Sequence, residues 1–196
     1  MICTNKKCNN KINNNHLHNK SNKHKANIAL IGMPSCGKST IGRILSKKLG
    51  KNLIDIDEEI VKEIKMPIAD YFRKNGEKAF RDMETKVTKE ISNAQSTVIS
   101  CGGGIIKNKE NIDYLKNNSI IIFIDRDIDK LFVSSDRPLS SVMGTLEKLY
   151  NERIDLYLKY SDVQLTNNSL LEEVADQIME VYANYTQNNK EEVIES

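Results

Sequence analysis

The sequence predicts an α/β protein in which helices cover both faces of a parallel, five-stranded sheet. Three observations predict this fold. From residue 27 onward, short apolar runs alternate with longer amphipathic stretches, the pattern of parallel strands joined by crossover helices. The run SIIIFI, residues 119–124, is apolar almost throughout, as expected for a strand buried on both faces. Two glycine-rich segments, GMPSCGKST and CGGG, follow predicted strands at the end where such sheets bind ligands.

The first half of the chain is predicted to alternate strand and helix. NIALI, residues 27–31, is the first strand. The stretch STIGRILSKKLG then repeats apolar residues at helical spacing and stops at Gly50, a residue type that commonly ends helices. NLIDI, residues 52–56, is the second strand and ends at acidic residues. Short helices are expected at residues 57–64 and 68–76, because a proline interrupts the chain between them.

The second half supplies the remaining elements. A long helix is expected at residues 77–93, followed by the third strand, STVIS. SIIIFI is the fourth strand, and VQLT is a short edge strand before a last helix at about residues 170–185. No internal repeat or linker is visible, so residues 26–186 are predicted to form one domain, with a frayed tail at residues 187–196.

Composition limits the classes of protein. The 196 residues carry a net charge of +2, but residues 1–25 hold six lysines and no acidic residue, which leaves 23 basic against 27 acidic residues in the rest. A mildly acidic domain argues against nucleic-acid binding. Residues 1–25 are poor in apolar side chains and are predicted to be a disordered Asn/Lys-rich tail. Because we find neither a membrane-spanning apolar stretch nor a secretory signal, we expect a cytoplasmic protein without membrane contact.

The four cysteines are too few and too scattered for a disulfide framework. Cys36 and Cys101 are expected to be buried thiols rather than catalysts. Cys3 and Cys8 can be combined with the three histidines of the tail into a zinc site. No second cysteine pair supports that site, so we favour a tail without a metal ion.

The segment GMPSCGKST, residues 32–40, has the P-loop pattern of a glycine, four residues and Gly-Lys-Ser. Such a loop curls so that its backbone N–H groups point at phosphate oxygens, and glycine permits this geometry. Lys38 is expected to bridge the β- and γ-phosphates, and the Ser39 hydroxyl to bind Mg²⁺. The predicted nucleotide contacts are Gly32, Pro34, Ser35, Cys36, Gly37, Lys38, Ser39 and Thr40.

Three further groups of residues suit a phosphoryl acceptor. Asp55 and Asp57 end the second strand, so one can hold Mg²⁺ through water while the other orients or deprotonates a hydroxyl; capping of the next helix is the alternative. Arg81 lies three residues before Glu84, which can hold the guanidinium toward a substrate carboxylate; a surface ion pair is the alternative. Three glycines, residues 102–104, leave room for backbone close to a ligand; a flexible turn is the alternative.

In their order along the chain, these segments resemble shikimate kinase, from about residue 26 to residue 185. The similar segments are GMPSCGKSTIGRILSKKLG, DIDEEI, IADYFRKNGEKAFRDME, STVISCGGG, DRPLS and NERIDLY. Many kinases share the P-loop alone, whereas the other motifs in this order are far more specific. The resemblance implies a P-loop NTPase-type, adenylate-kinase-like fold with strand order 2-3-1-4-5, in which MgATP phosphorylates the 3-hydroxyl of shikimate.

The resemblance also implies roles for individual residues. Asp57 matches the aspartate that contacts the shikimate hydroxyls and acts as the base, and Asp55 matches the one that helps to hold magnesium through water. Arg81 and Arg153 match the arginines that bind the shikimate carboxylate, and Arg137 matches the lid arginine that reaches toward the transferring phosphate. The predicted catalytic residues are Asp57, Lys38 and Arg137, and the predicted shikimate contacts are Asp57, Arg81, Gly102, Gly103, Gly104 and Arg153.

The chain departs from the family pattern mainly in the lid, residues 134–141. Only three residues separate KLFV from Arg137 where the family usually has a longer loop, and Ser140 replaces an apolar residue. Asp155 stands where the family commonly has proline. Two alternatives stay open: a related kinase of the same fold with a gluconate-type acceptor and, because the lid is short, a nucleotide-binding relic whose shortened lid has abolished turnover. Because one domain can hold both substrates, we expect a monomer.

Overall fold

A computed structural model of the chain describes residues 11–12, 25–131 and 143–194. Within these residues the strands are β1 (Lys11–Ile12), β2 (Asn27–Ile31), β3 (Asn52–Asp55), β4 (Thr97–Ser100), β5 (Ser119–Asp125) and β6 (Val163–Thr166). The helices are α1 (Lys38–Leu49), α2 (Ile56–Ile64), α3 (Ile68–Ile91), α4 (Lys109–Lys116), α5 (Met143–Tyr160) and α6 (Leu171–Ile194). Single 3₁₀ turns occur at Ile105–Lys107 and Ile128–Lys130.

Five of the strands are parallel and form the predicted sheet. β2 lies in the centre between β4 and β5, and β3 and β6 follow on the outside. Counted without β1, this is the strand order 2-3-1-4-5, so the predicted fold class is confirmed. Every residue of β2 is buried, as is almost all of β5, because helices pack around the sheet.

The predicted tail contains one strand. β1 pairs antiparallel with β6 through Lys11 and Ile12, which makes the sheet six-stranded in the described residues. Lys25 also contacts the domain, because its Nζ lies 3.3 Å from Oδ2 of Asp162. The other tail residues, including the cysteines and histidines considered for zinc, lie outside the described residues.

The helices differ from the sequence prediction at three places. The two helices expected on either side of residue 76 form one element, α3, in which Gly76 (φ 81°, ψ 173°) breaks the helical conformation. Helices α4 and α5 were not assigned from the sequence. Helix α6 continues to Ile194, through most of the tail predicted to be frayed. None of the helices in the described ranges has the length and apolar character that a membrane span requires.

The parallel strands place their carboxyl ends at one edge of the sheet. β2 leads into the phosphate loop (residues 32–40), β3 into the start of α2, and β4 into the glycine turn (residues 102–104). The three motifs that are distant in sequence are therefore neighbours in the fold, as expected for an open α/β sheet.

The buried side chain of Asn27 connects the start of β2 to the segment that precedes β4. Its Oδ1 accepts a hydrogen bond from the backbone N–H of Thr97 at 2.9 Å, and its Nδ2 donates to the carbonyl of Ala94 at 2.7 Å. Asn118 also donates to the Ala94 carbonyl. The substitution Asn27→Ala therefore leaves mainly the Thr97 N–H unsatisfied, and we expect the free energy of unfolding to fall by about 1–3 kcal/mol.

Urea unfolding measures this change, with Asn52→Ala as the control because Asn52 is exposed at the start of β3. The control should change the free energy of unfolding by less than about 0.5 kcal/mol. Equal stability of Asn27→Ala and the wild-type chain would contradict the assigned role of Asn27.

Candidate active site

The phosphate loop is curled tightly between β2 and α1. Gly32 and Gly37 have φ angles of 149° and 102°, which side-chain-bearing residues rarely adopt. A Cβ atom on Gly32 would lie 2.4 Å from the carbonyl oxygen of Ile124, and one on Gly37 would lie 2.6 Å from Nδ2 of Asn167. Both glycines are therefore required by backbone conformation and by space.

The first turn of α1 is suited to an anion. The helix begins at Lys38 directly after Gly37, which has no side chain to cap it, and the first turn contains no acidic residue. By contrast, α2 and α4 begin at side-chain caps, supplied by Asp55 and Asn108. The N–H groups at the start of α1 thus have no side-chain cap and no acidic residue from their own turn, and the helix dipole favours a phosphate there.

Lys38 lies inside the curl of the phosphate loop. It is only 6% exposed, and its Nζ donates to the carbonyls of Gly32 at 3.0 Å and Met33 at 2.8 Å. These carbonyls solvate a cation that would otherwise be costly to bury. The loop is also attached to the end of β6, because Nδ2 of Asn167 donates to the carbonyl of Cys36 at 2.7 Å.

Ser39 and Asp55 meet at the mouth of the loop. The Ser39 hydroxyl donates to Oδ2 of Asp55 at 2.7 Å and lies 3.2 Å from the hydroxyl of Ser100. The other oxygen of Asp55 accepts the backbone N–H of Asp57 at 3.0 Å. Asp55 therefore caps α2 and contacts Ser39 at the same time. Hydroxyl and carboxylate oxygens are ligands that suit Mg²⁺, which binds through few protein oxygens and shares phosphate oxygens.

The glycine turn passes close to three side chains of the site. A Cβ atom on its first glycine would lie 2.7 Å from Oδ1 of Asp57, one on the second 2.8 Å from Cδ of Pro34, and one on the third 2.5 Å from Nη1 of Arg81. The three glycines are thus explained by close approach of backbone to protein side chains. A merely flexible turn does not account for these contacts.

Arg81 and Glu84 form an ion pair that is largely buried. Nη1 of Arg81 lies 2.7 Å from Oε2 of Glu84, whose side chain is 1% exposed, so the surface-pair alternative is wrong for this pair. On the outer side, Nε of Arg81 lies 3.5 Å from Glu77. Burial raises the pKa of Glu84; the nearby Arg81 and Arg153 oppose the rise and the negative charge of Asp57 adds to it.

Arg153 reaches the glycine turn from α5. The residue is 6% exposed, and its Nη1 donates to the carbonyl of Gly103 at 2.9 Å. The same carbonyl accepts the hydroxyl of Tyr157 at 2.6 Å. The ring of Tyr157 stacks on Phe123 with 4.9 Å between centroids, and burial raises the pKa of its phenol well above the usual range. Tyr157 therefore stays a neutral hydrogen-bond donor.

A cavity of about 330 Å³ joins the phosphate loop to the two aspartates. Besides loop residues, it is lined by Asp55, Asp57, Ser100, Cys101, Arg126 and Leu171. Burial raises the pKa of the Cys101 thiol far above its ordinary value, so this cysteine is a neutral wall of the cavity and not a nucleophile.

The structure brings together almost all of the predicted site residues. The residues from Gly32 to Thr40 form the phosphate loop together with the first residues of α1. Asp55 and Asp57 lie beside them, and Arg81 and Arg153 contact the glycine turn. Arg137 and the rest of the predicted lid lie outside the described residues.

Among the residues of the site that sequence reasoning missed are Ser100, Arg126, Tyr157, Asn167 and Leu171. Tyr157 lies in the motif NERIDLY, one helical turn after Arg153, and that spacing could have indicated it. Arg126 directly follows the buried fourth strand, a position that favours a ligand contact. We find no comparable sequence signal for Asn167 or Leu171.

Sequence comparison with known proteins identifies the family. The sequence model of the family described as shikimate kinase matches residues 34–183. A shikimate kinase of Clostridium botulinum (strain Eklund 17B / Type B) is 41% identical over 164 residues, which are 82% of this chain and 99% of that protein. The chain belongs to the shikimate kinase family.

The fold agrees with this membership. The solved structure of shikimate kinase from Acinetobacter baumannii in complex with shikimate superposes with a TM-score of 0.78 at 29% identity, covering 82% of this chain and 94% of that one. A gluconokinase from Sinorhizobium meliloti 1021 matches with a TM-score of 0.53 at 13% identity, over 85% of this chain and 96% of that one. The second match shows a common fold alone.

Because Glu84 is buried, we expect the free energy of unfolding of this shikimate kinase family member to depend on pH. Because its pKa is raised on folding, the folded chain binds more protons than the unfolded chain above about pH 4. The contribution of Glu84 to the free energy of unfolding of the wild-type chain therefore falls as the pH rises through the pKa of Glu84 in the folded state. The free energy of unfolding of Glu84→Gln, relative to wild type, should rise between about pH 4 and about pH 7.

Urea unfolding at several pH values measures this difference. Glu90→Gln is the control, since Glu90 is exposed on the same helix, and its difference from wild type should stay below about 0.5 kcal/mol. If Glu84→Gln instead loses stability relative to wild type as the pH rises, the ion pair with Arg81 outweighs burial and the assigned direction is wrong.

Proposed function

We propose that this chain is a shikimate kinase, which transfers the γ-phosphoryl group of ATP to the 3-hydroxyl of shikimate and releases ADP. The observation that carries the proposal is the placement of Arg81 and Arg153 on the glycine turn beside Asp57. The guanidinium of Arg81 lies against Gly104, and Arg153 donates to the carbonyl of Gly103. Membership of the shikimate kinase family supports the same function.

The charges of the site suit a compact hydroxy acid. Two guanidinium groups can bind one carboxylate through charge-assisted hydrogen bonds. The carboxylate of Asp57 lies against Gly102, the first glycine of the turn, where it can accept a hydrogen bond from an acceptor hydroxyl. Between these two ends the glycine turn offers backbone without side chains, which suits the ring of shikimate.

In the proposed reaction Asp57 takes the proton of the acceptor hydroxyl. The hydroxyl oxygen forms a bond to the γ-phosphorus while the bond from that phosphorus to the β,γ-bridging oxygen breaks, and ADP leaves with the electron pair. Lys38 and the N–H groups of the phosphate loop stabilise the charge on the β- and γ-phosphates. Arg137 is assigned to the transferring phosphoryl group from the family resemblance.

We propose Ser39 and Asp55 as the magnesium-binding residues, with Asp55 acting through water. The Ser39 hydroxyl and the Asp55 carboxylate lie 2.7 Å apart at the mouth of the phosphate loop, and both supply the oxygen ligands that Mg²⁺ prefers. Magnesium bound with ATP neutralises negative charge on the phosphates. The protein residues themselves orient the loop and the acceptor.

We also propose that the protein acts as a cytoplasmic monomer without nucleic-acid partners. One domain carries the phosphate loop and the acceptor residues around a common turn, so a second chain is not needed to complete the site. Cys36 and Cys101 are buried free thiols, as is usual for proteins of a reducing compartment.

The first prediction of the proposal concerns the acceptor. ADP release from MgATP should depend on shikimate, and Asp57→Asn should lower kcat by about 100-fold or more because the general base is lost. A coupled assay measures ADP with shikimate, with gluconate and without an acceptor. Asp82→Asn, on an exposed aspartate of α3, is the control and should retain wild-type kcat.

The same assay separates the alternatives. Release that depends on gluconate would identify a gluconate-type kinase. ATP binding without any acceptor-dependent release would identify a nucleotide-binding relic. Full activity of Asp57→Asn with shikimate would exclude Asp57 as the base while leaving the reaction in place.

The second prediction concerns magnesium. Chelation by EDTA should abolish shikimate-dependent ADP release, and Ser39→Ala should raise the Mg²⁺ concentration for half-maximal rate several-fold, because one oxygen ligand is lost. Ser46→Ala, a partly buried serine two turns farther along the same helix, should leave this concentration unchanged. Persistent turnover in EDTA would contradict the magnesium assignment.

A further inference from the structure

One carbonyl of the glycine turn receives two hydrogen bonds from helix α5. Arg153 Nη1 donates to the oxygen of Gly103 at 2.9 Å, and the hydroxyl of Tyr157 donates to the same oxygen at 2.6 Å. The two donors lie one helical turn apart on the same face of α5. Both side chains are buried, so water cannot readily replace either donor.

Gly103 also packs against the phosphate loop. A Cβ atom at this position would lie 2.8 Å from Cδ and 3.1 Å from the backbone nitrogen of Pro34. Gly103 therefore contacts both helix α5 and the phosphate loop. A shift of the Gly103 peptide would move the acceptor site relative to the phosphate loop.

We propose that Tyr157 is a positioning residue of the phosphoryl transfer: its hydroxyl holds the Gly103 carbonyl, and thereby fixes the Arg153 guanidinium and the glycine turn against Pro34. This inference rests on the proposed function, because it assigns the fixed guanidinium to the acceptor carboxylate. Tyr157 touches neither substrate in this scheme and acts only through Gly103 and Arg153.

Two features make the Tyr157 hydroxyl suitable for this role. The ring is fully buried and stacked on Phe123, so the position of its hydroxyl oxygen is fixed before any substrate binds. A carbonyl oxygen has two lone pairs and can accept both donors at once. Because Tyr157 holds the Gly103 carbonyl in place, Arg153 donates its hydrogen bond to a fixed oxygen. The guanidinium of Arg153 then has less freedom to turn away from the proposed shikimate site.

Tyr157→Phe tests the role of the hydroxyl, since it keeps the stacked ring and removes one donor. The KM for shikimate should rise about threefold to tenfold, the range that one neutral hydrogen bond corresponds to. The KM for MgATP should change by less than about twofold, because the contacts of the phosphate loop itself are retained. Tyr160→Phe, on the same helix and partly exposed, is the matched control and should have wild-type constants.

A double-mutant cycle distinguishes positioning from general destabilisation. Lysine at position 153 keeps the charge and removes the forked guanidinium that Tyr157 is proposed to hold. In the Arg153→Lys chain, Tyr157→Phe should therefore raise the KM for shikimate by less than about twofold. Where turnover is too slow for a KM, calorimetric titration with shikimate gives a Kd for each variant, and the Kd values can be compared in the same way. Thermal denaturation measures the stability of each variant.

Three results would overturn the inference. Unchanged kinetic constants in Tyr157→Phe would show that the hydroxyl has no role in positioning. If Tyr157→Phe raised the KM values for shikimate and MgATP equally, the substitution would have a general structural effect and no specific role in positioning. The same conclusion would follow if Tyr157→Phe raised the KM for shikimate by the same factor in the wild-type and Arg153→Lys chains. A wild-type chain without shikimate-dependent ADP release would overturn the proposed function and this inference with it, whereas failure of the Tyr157 variant alone leaves the proposed function intact.

Discussion

The rest of the site depends on one packing constraint, the passage of the glycine turn between three side chains. The turn lies against Asp57, Pro34 and Arg81 at distances that leave no room for a Cβ atom on any of its glycines. The proposed general base, the phosphate loop and the arginine proposed to bind the acceptor carboxylate are consequently all positioned against one short backbone segment. Closely packed regions of a protein have little free space, so a methyl group on any glycine of the turn would displace at least one of these three side chains.

Buried charge imposes the second constraint on the same region. Lys38, Glu84 and Arg153 are all nearly inaccessible to solvent, and each has a polar partner: loop carbonyls for Lys38, Arg81 for Glu84, and the Gly103 carbonyl for Arg153. Burial of unpaired charges would cost several kcal/mol each. The raised pKa of Glu84 shows that the two arginines do not fully compensate the burial of this carboxylate, which lies near Asp57. The contact of Arg81 with Glu84 and that of Arg153 with the Gly103 carbonyl orient the two guanidinium groups before an acceptor binds.

Local features of the site could be read from the sequence, whereas contacts across the sheet could not. The phosphate loop is defined by its own glycines and by the helix that follows, so its motif predicted its geometry. The sequence did not predict that Glu84 is buried, because the spacing of Arg81 and Glu84 is the same in a surface pair. Nor did it predict that Asn167 binds the carbonyl of Cys36, a contact made only when β6 packs beside β5. The short strand β1 was missed because the tail is poor in apolar residues.

Helix α5 reaches the nucleotide side of the site by a second path. The Tyr150 hydroxyl lies 3.3 Å from Oδ1 of Asp125, and burial raises the pKa of Tyr150 to about 12, so it remains a donor. The backbone carbonyl of Asp125 accepts the N–H of Asn167, whose side chain holds the phosphate loop. Phosphoryl transfer depends mainly on positioning and charge stabilisation, so small displacements of either substrate are costly. Because α5 contacts both the glycine turn and the end of β5, it connects the proposed acceptor residues to the side of the site that carries the phosphate loop.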